Sequence, residues 1–291
     1  MNSSHVDTFL NELTFHKNYS TLTISSYQID LNQFVLFLDS KNIQNSSRED
    51  ILRWIKKLHS QGLSPKTLQR KLSTIRSFFN YLIKSDIVSS NPATNIKTPK
   101  DSKKLPKLLS VDELAYLLDI KPTSDIEVRD ILTFDLLYSC GIRLSELSSI
   151  KISDITNSDN KIRVVGKGNK ERIVYFGEKT SINLNKWLSI LIDNKLSCDY
   201  LFVAKTGKRL TNRSIQKRLE LFSNKYASRH IHPHMLRHSF ASHILDSSKD
   251  LLAVRDLLGH ADIASTQIYT HLNFQQLADV FDKSHPRAKK K

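Results

Sequence analysis

Apolar positions recur at helical spacing along almost the whole chain, and one stretch breaks that rhythm. A short run over Val6–Phe15 comes first. Ser20 then stands before a longer one, Thr21–Leu38, in which Ile24, Tyr27, Leu31, Phe34, Val35 and Leu38 fall on one face. Ile51–Leu58 repeats the pattern and stops at Gly62. Ser64-Pro65, a capping hydroxyl ahead of a first-turn proline, opens a helix with the stripe Leu68, Leu72, Ile75, Phe79 and Leu82. Ser110 and Glu113 have capping-box spacing ahead of a helix that runs through Leu118, and Val128–Tyr138 is strongly apolar. The period switches near Lys161, where Ile162–Val165 and Arg172–Phe176 are β-prone runs around a Gly/Lys turn and predict a hairpin. Ile182–Ile192 and Thr211–Phe222 return to helix. The last patterned stretch, His232–Tyr269, sets Pro233 at a first helical position with Leu236, Phe240, Ile244 and Leu245 behind it. A second amphipathic run there, Leu251–Leu258, ends at Gly259.

This pattern predicts a mainly α protein: an N-terminal helical bundle, then a C-terminal mixed but mostly α domain with a small β-hairpin or sheet. Pro92, Pro99 and the unpatterned, lysine-rich stretch Lys97–Lys107 mark the boundary. They divide the chain into a first domain over 1–98, a basic linker over 99–109 and a second domain over 110–291. Both halves of a 291-residue chain are long enough to bury a core of their own.

Charge changes the picture more than overall composition does. Lys and Arg number 44 against 29 Asp and Glu, a net charge of +15, which points to a polyanionic partner. Nucleic acid ranks ahead of membrane, because no strong basic amphipathic anchor is present. No apolar stretch approaches the roughly 18 residues of a membrane span, and Met1–Leu10 lacks the layout of a signal peptide. Cys140 and Cys198 form no CxxC, which argues against a disulfide scaffold and fits a reducing cytoplasm. On the helix after Ser64, the basic residues Lys66, Arg70, Lys71 and Arg76 lie mostly off the apolar stripe. They read either as a solvated face or as a face laid on DNA phosphates. Arg213, Lys217 and Arg218 on the Thr211–Phe222 run are further candidates for DNA contact.

Cleaving a phosphodiester requires charge stabilisation on the equatorial oxygens, an in-line nucleophile and a proton for the leaving oxygen. Arg143 and Arg237 suit the oxygens, because a guanidinium donates two parallel bonds and stays charged at any working pH. Glu146, three residues past Arg143, could orient it or cap and pair locally. Lys167, between Gly166 and Gly168 on the hairpin turn, could protonate a leaving oxygen. Lys170 is its rival, and spacing does not separate the two. His234 and His260 are able to handle protons near neutrality, and Tyr269 is a candidate nucleophile. His238, His243 and His271 read as structural, with His238 bracing its helix. A metal site on His232, His234 and His238 has no standard spacing, and neither an HExxH nor a paired acidic cluster occurs.

Five segments in order, GIRLSEL (Gly141–Leu147), GKGNKER (Gly166–Arg172), HMLRH (His234–His238), LLGH (Leu257–His260) and QIYTH (Gln267–His271), resemble the signature set of the tyrosine recombinases. The likeness is greatest to the bacterial Xer group and covers essentially the whole chain. It implies site-specific cutting and rejoining of double-stranded DNA through a 3′-phosphotyrosine on Tyr269 and a Holliday junction, with no metal, ATP or other cofactor. It also implies Arg143 and Arg237 on the phosphate, Lys167 as general acid, His234 as base and His260 as phosphate donor. The N-terminal bundle would clamp one side of the DNA. A role in resolving chromosome or plasmid dimers at a dif-like site follows from the same resemblance. It brings a XerD-like recombinase in a heterotetramer, an FtsK-like DNA translocase, and work in the cytoplasm without membrane insertion. Phe274, Leu277, Ala278, Val280 and Phe281 would form a tail exchanged between subunits, the alternative being a last helix folded on its own domain. The competing readings are a non-enzymatic DNA binder, a type IB topoisomerase and a mobile-element integrase. The complete set of six residues opposes the first; the compact N-terminal domain and the tail oppose the others.

Overall fold

The computed structural model describes residues 2–15, 19–99, 108–196, 198–248, 250 and 257. The chain falls into two compact units, Met1–Lys104 and Leu105–Lys291.

Among the described residues, four α-helices make up most of the first unit: α1 (Asn2–Phe15), α2 (Thr21–Leu38), α3 (Arg48–Ser60) and α4 (Pro65–Lys84). Ser20 and Ser64 cap α2 and α4 as expected. Helix α3 starts earlier than its apolar run, because Ser47 and Asp50 form a capping box. The core is aromatic, with Phe34 and Trp54 rings 4.9 Å apart and Phe9 edge-on to Phe78 at 5.4 Å. The expected stripe of α4 is buried throughout.

The basic residues of α4 are divided between the surface and internal pairs. Lys71 is 3% exposed and donates to Asp30 at 2.8 Å, and Arg70 pairs with the same carboxylate. Arg76 reaches the carbonyls of Ala93 and Ile96 at 3.0 and 2.5 Å. Asp30 is fully buried on α2, and a charge taken out of water must be paired, so Lys71 turns inward to meet it while Arg70 reaches it from the surface. Lys66 is exposed.

The second unit is built around α6 (Asp125–Ser139), which is buried along most of its length and packs against α8 (Glu178–Asp193), α9 (Asn212–Tyr226) and α10 (Pro233–Ser248). Helix α5 (Val111–Leu118) carries the expected Ser110–Glu113 capping box. The short α7 (Leu144–Ser149) leads into an antiparallel sheet in the order β1 (Ile155–Thr156), β2 (Lys161–Val165), β3 (Glu171–Tyr175). The hairpin was expected; β1, only two residues long, is too short to show a period. In the hairpin Val164 stands opposite Arg172, and Ile162 opposite Val174. Alternation along β3 therefore puts Arg172 on the side of Val174, facing the core. On α9, Arg213 and Lys217 are exposed, whereas Arg218 donates to Asp130 at 2.9 Å. Among the described residues no helix is long and apolar enough to cross a membrane. Of the run Leu251–Leu258, Leu257 alone is described; it is helical and packs on the second core.

Candidate active site

Helix α6 ends at Cys140, and Gly141 turns the chain with φ +56. A Cβ at Gly141 would overlap the Phe240 ring, so both conformation and space demand glycine there. This close approach lets the Gly141 carbonyl accept from Arg237 Nη1 on α10. Two residues on, Arg143 occupies the cap position of α7. Glu146, in the first turn, accepts from the Arg143 backbone N–H at 2.7 Å and from Arg143 Nη1 at 2.9 Å. Glu146 thus both caps and orients, so the two uses open to it in the sequence are combined.

A third arginine completes the cluster. Arg172 Nη1 and Nη2 grip the two Glu146 oxygens at 2.8 and 2.9 Å. Gly166, at the start of the hairpin turn, lies so close that a Cβ would stand 3.2 Å from Glu146 Oε1. Burial alone would raise the Glu146 carboxyl, but the hydrogen bonds from Arg172 and the Arg143 backbone outweigh it and hold it below the usual range. Burial pushes the Arg237 guanidinium down to about 10, the Arg143 and Arg172 charges pushing the same way and Glu146 opposing them. It remains charged at neutrality. Three guanidiniums around one carboxylate leave an excess of positive charge, held where water is partly excluded. That arrangement suits an anion with several oxygens.

Lys167 opens the 3-10 turn Lys167–Asn169, directly after Gly166, so the turn is anchored beside the arginine cluster. Lys170 is exposed, and its carbonyl accepts from the Gly166 N–H at 2.8 Å. His234 is exposed on the first turn of α10, one turn before Arg237, which is 8% exposed. His232 Nδ1 accepts from Met235 N at 3.1 Å. Burial, then the neighbouring His234, His230 and His238, lower its pKa and favour the neutral ring that this cap requires. His238 is exposed and does not brace the helix by burial, while His243 Nδ1 meets the Tyr138 hydroxyl at 3.0 Å as a structural histidine would. Among the described residues no three His, Cys, Asp or Glu side chains gather as a metal site. His260, Tyr269, His271 and the tail beyond them lie outside the described residues, as do positions 100–107 of the linker. Sequence reasoning missed Arg172; its place beside Val174 on alternating β3 was the available signal.

Comparison with known proteins gives the family. Residues 107–276 match the model of the phage integrase family, and residues 6–86 match that of the phage integrase N-terminal SAM-like domain. The chain belongs to the phage integrase family of tyrosine recombinases, enzymes that exchange DNA strands through a phosphotyrosine intermediate. Within that family its relatives include the tyrosine recombinase XerC of Shewanella amazonensis, 42% identical over 292 residues, covering 99% of this chain and 98% of that one. XerC of Psychromonas ingrahamii is 43% identical over 295 residues, with 98% and 97% covered. Among solved structures, XerH bound to its palindromic difH substrate after cleavage has a TM-score of 0.69 at 26% identity, covering 96% of this chain and 88% of that one.

Proposed function

We propose that the chain is the XerC-type partner of a two-recombinase system that resolves chromosome and plasmid dimers at a dif-like site in the cytoplasm. The observation that carries the chemistry is the approach of two guanidiniums far apart in sequence: Arg143, paired with the buried Glu146, and Arg237, held on the Gly141 carbonyl two residues before it, within range of each other's charge. The two guanidiniums hold the scissile phosphate. Tyr269 attacks phosphorus in line, and the 3′-phosphotyrosine stores the bond energy, so ATP has no role to fill. His234 accepts the phenolic proton, His260 donates to a phosphate oxygen, and Lys167 protonates the departing 5′ oxygen. Domains 1–98 and 110–291, joined by a basic linker over 99–109, both bind DNA.

The assignment of Lys167 has its own test. Lys167→Ala should cleave an ordinary site slowly, and a substrate whose 5′ leaving atom is sulfur should restore most of the rate, since a thiolate departs without a proton. Rescue of a Lys170→Ala block, with none for Lys167→Ala, would exchange the two roles.

The biological reading rests on near full-length similarity to XerC proteins. A XerD-like recombinase completes a heterotetramer on the site, and an FtsK-like DNA translocase activates it. The apolar tail Phe274–Phe281 docks in the neighbouring subunit, which makes one tyrosine's position depend on the other subunit. Truncation after Leu272 should spare binding to one half-site, weaken cooperative binding with the partner about tenfold and shift which subunit cleaves. This can be read by gel shift and strand-specific labelling. A truncated chain that pairs and exchanges strands normally would defeat the tail reading, and complete recombination by this chain alone would defeat the paired one.

A further inference from the structure

We infer that Arg172 is a positioning residue for strand cleavage, acting on the scissile phosphate through Glu146 and Arg143. The inference rests on the reading that Arg143 and Arg237 hold that phosphate. Glu146 is 1% exposed, and both of its oxygens are engaged twice: Oε1 by Arg143 Nη1 and Arg172 Nη1, Oε2 by the Arg143 N–H and Arg172 Nη2. If Arg143 alone answered Glu146, the carboxylate would draw its whole charge into a closed pair. Arg172 takes a share of both oxygens, so one Nη of Arg143 suffices, and the Arg143 side chain stays 35% exposed.

The geometry demands an arginine. A planar fork reaches both carboxylate oxygens at once and fixes the carboxylate plane, whereas an ammonium meets them as a point charge. Placement follows from the strand: Arg172 sits on the inward face of β3 with Val174, opposite Val164. Gly166 leaves the space for this grip, since a Cβ there would lie 3.2 Å from Glu146 Oε1 and 3.6 Å from Arg172 Nη1. The hairpin bearing Lys167 is thereby pinned to α7, which bears Arg143, and one carboxylate sets the register between the two. Arg172 Nε is buried and makes no hydrogen bond, so the residue is held by this carboxylate and by packing.

The experiment is single-turnover adduct formation by the full chain on a nicked duplex carrying its site, at saturating DNA, with affinity measured separately. Arg172→Ala should slow cleavage about 10- to 100-fold, the usual size for a residue that orients a ligand's partner, while affinity changes less than about twofold. Arg172→Lys should recover little of the rate, and it carries the same test if Arg172→Ala folds poorly by thermal melting. In an Arg143→Ala background, adding either Arg172 change should cost clearly less than it does alone, because the link to Arg143 is already cut and only the hold on the hairpin is left to lose. A parental rate for Arg172→Ala, a loss expressed only in affinity, full recovery by Arg172→Lys, or effects that multiply with Arg143→Ala would each overturn the inference. The Arg143→Ala arm stands apart: normal cleavage by that variant would sink the phosphate-pocket reading itself.

Discussion

Replacing Tyr269 by phenylalanine is expected to abolish covalent protein–DNA adducts while DNA binding persists. The hydroxyl is the only part of the side chain lost, so the apolar ring keeps whatever packing it has. A phenol of pKa about 10 must lose its proton to attack phosphorus, and no other tyrosine stands among the recombinase motifs as Tyr269 does in QIYTH. The assay traps the intermediate on a nicked duplex whose short cleaved strand diffuses away, followed by denaturation and electrophoresis. The parent should form adduct with a chelator present, and Tyr269→Phe should lose on the order of 10⁴-fold or more. An adduct from the variant would move the nucleophile elsewhere, and a parent inhibited by chelator would overturn the metal-free mechanism.

The second large effect is expected at the arginines. Arg237→Ala or Arg143→Ala should slow cleavage by about 3–4 kcal/mol, or 10²- to 10³-fold, the usual size for removing one preorganised donor from a charged transition state. Arg237 is the more demanding position. Burial already lowers its pKa to about 10, and Arg143 and Arg172 repel it, so its cation is held at a cost that binding a phosphate dianion-like transition state offsets. Arg237→Lys should be nearly as slow as Arg237→Ala, because an ammonium loses the fork and cannot both bond the Gly141 carbonyl and reach a phosphate. Either variant that cleaves within tenfold of the parent at saturating DNA would remove that residue from the phosphate pocket. Melting curves guard against misreading an unfolded protein, since Arg237 also braces the turn at Gly141.

The helices of the first unit were legible where capping and periodicity agreed. Ser20 and Ser64 mark the starts of α2 and α4 because a side-chain oxygen ahead of a helix satisfies an otherwise unpaired N–H, a purely local effect. The start of α3 was missed for the same local reason, since the Ser47–Asp50 capping box precedes its apolar run by several residues. In the second unit the hairpin stood out because its period is two, while β1 had too few residues to show any period. The candidate site was legible as a set of residue types in order; the residues around those types were less so.

From the sequence alone came the helix-rich class, the excess of positive charge and a set of candidate residues for handling a phosphodiester. Each of these depends on neighbours within a few positions or on a simple count. The tertiary structure decided which charges have partners within the fold. Arg70 and Lys71 pair with Asp30, Arg76 bonds two carbonyls, and Arg218 pairs with Asp130, and of these cations Lys71 alone is buried. It also brought Arg237 to the Gly141 turn and Arg172 to Glu146, across separations over which no periodicity carries information. The physical reason is common to all of them. A buried carboxylate must find cations, and which cations lie within reach depends on how helices and strands pack, not on where they stand in the chain.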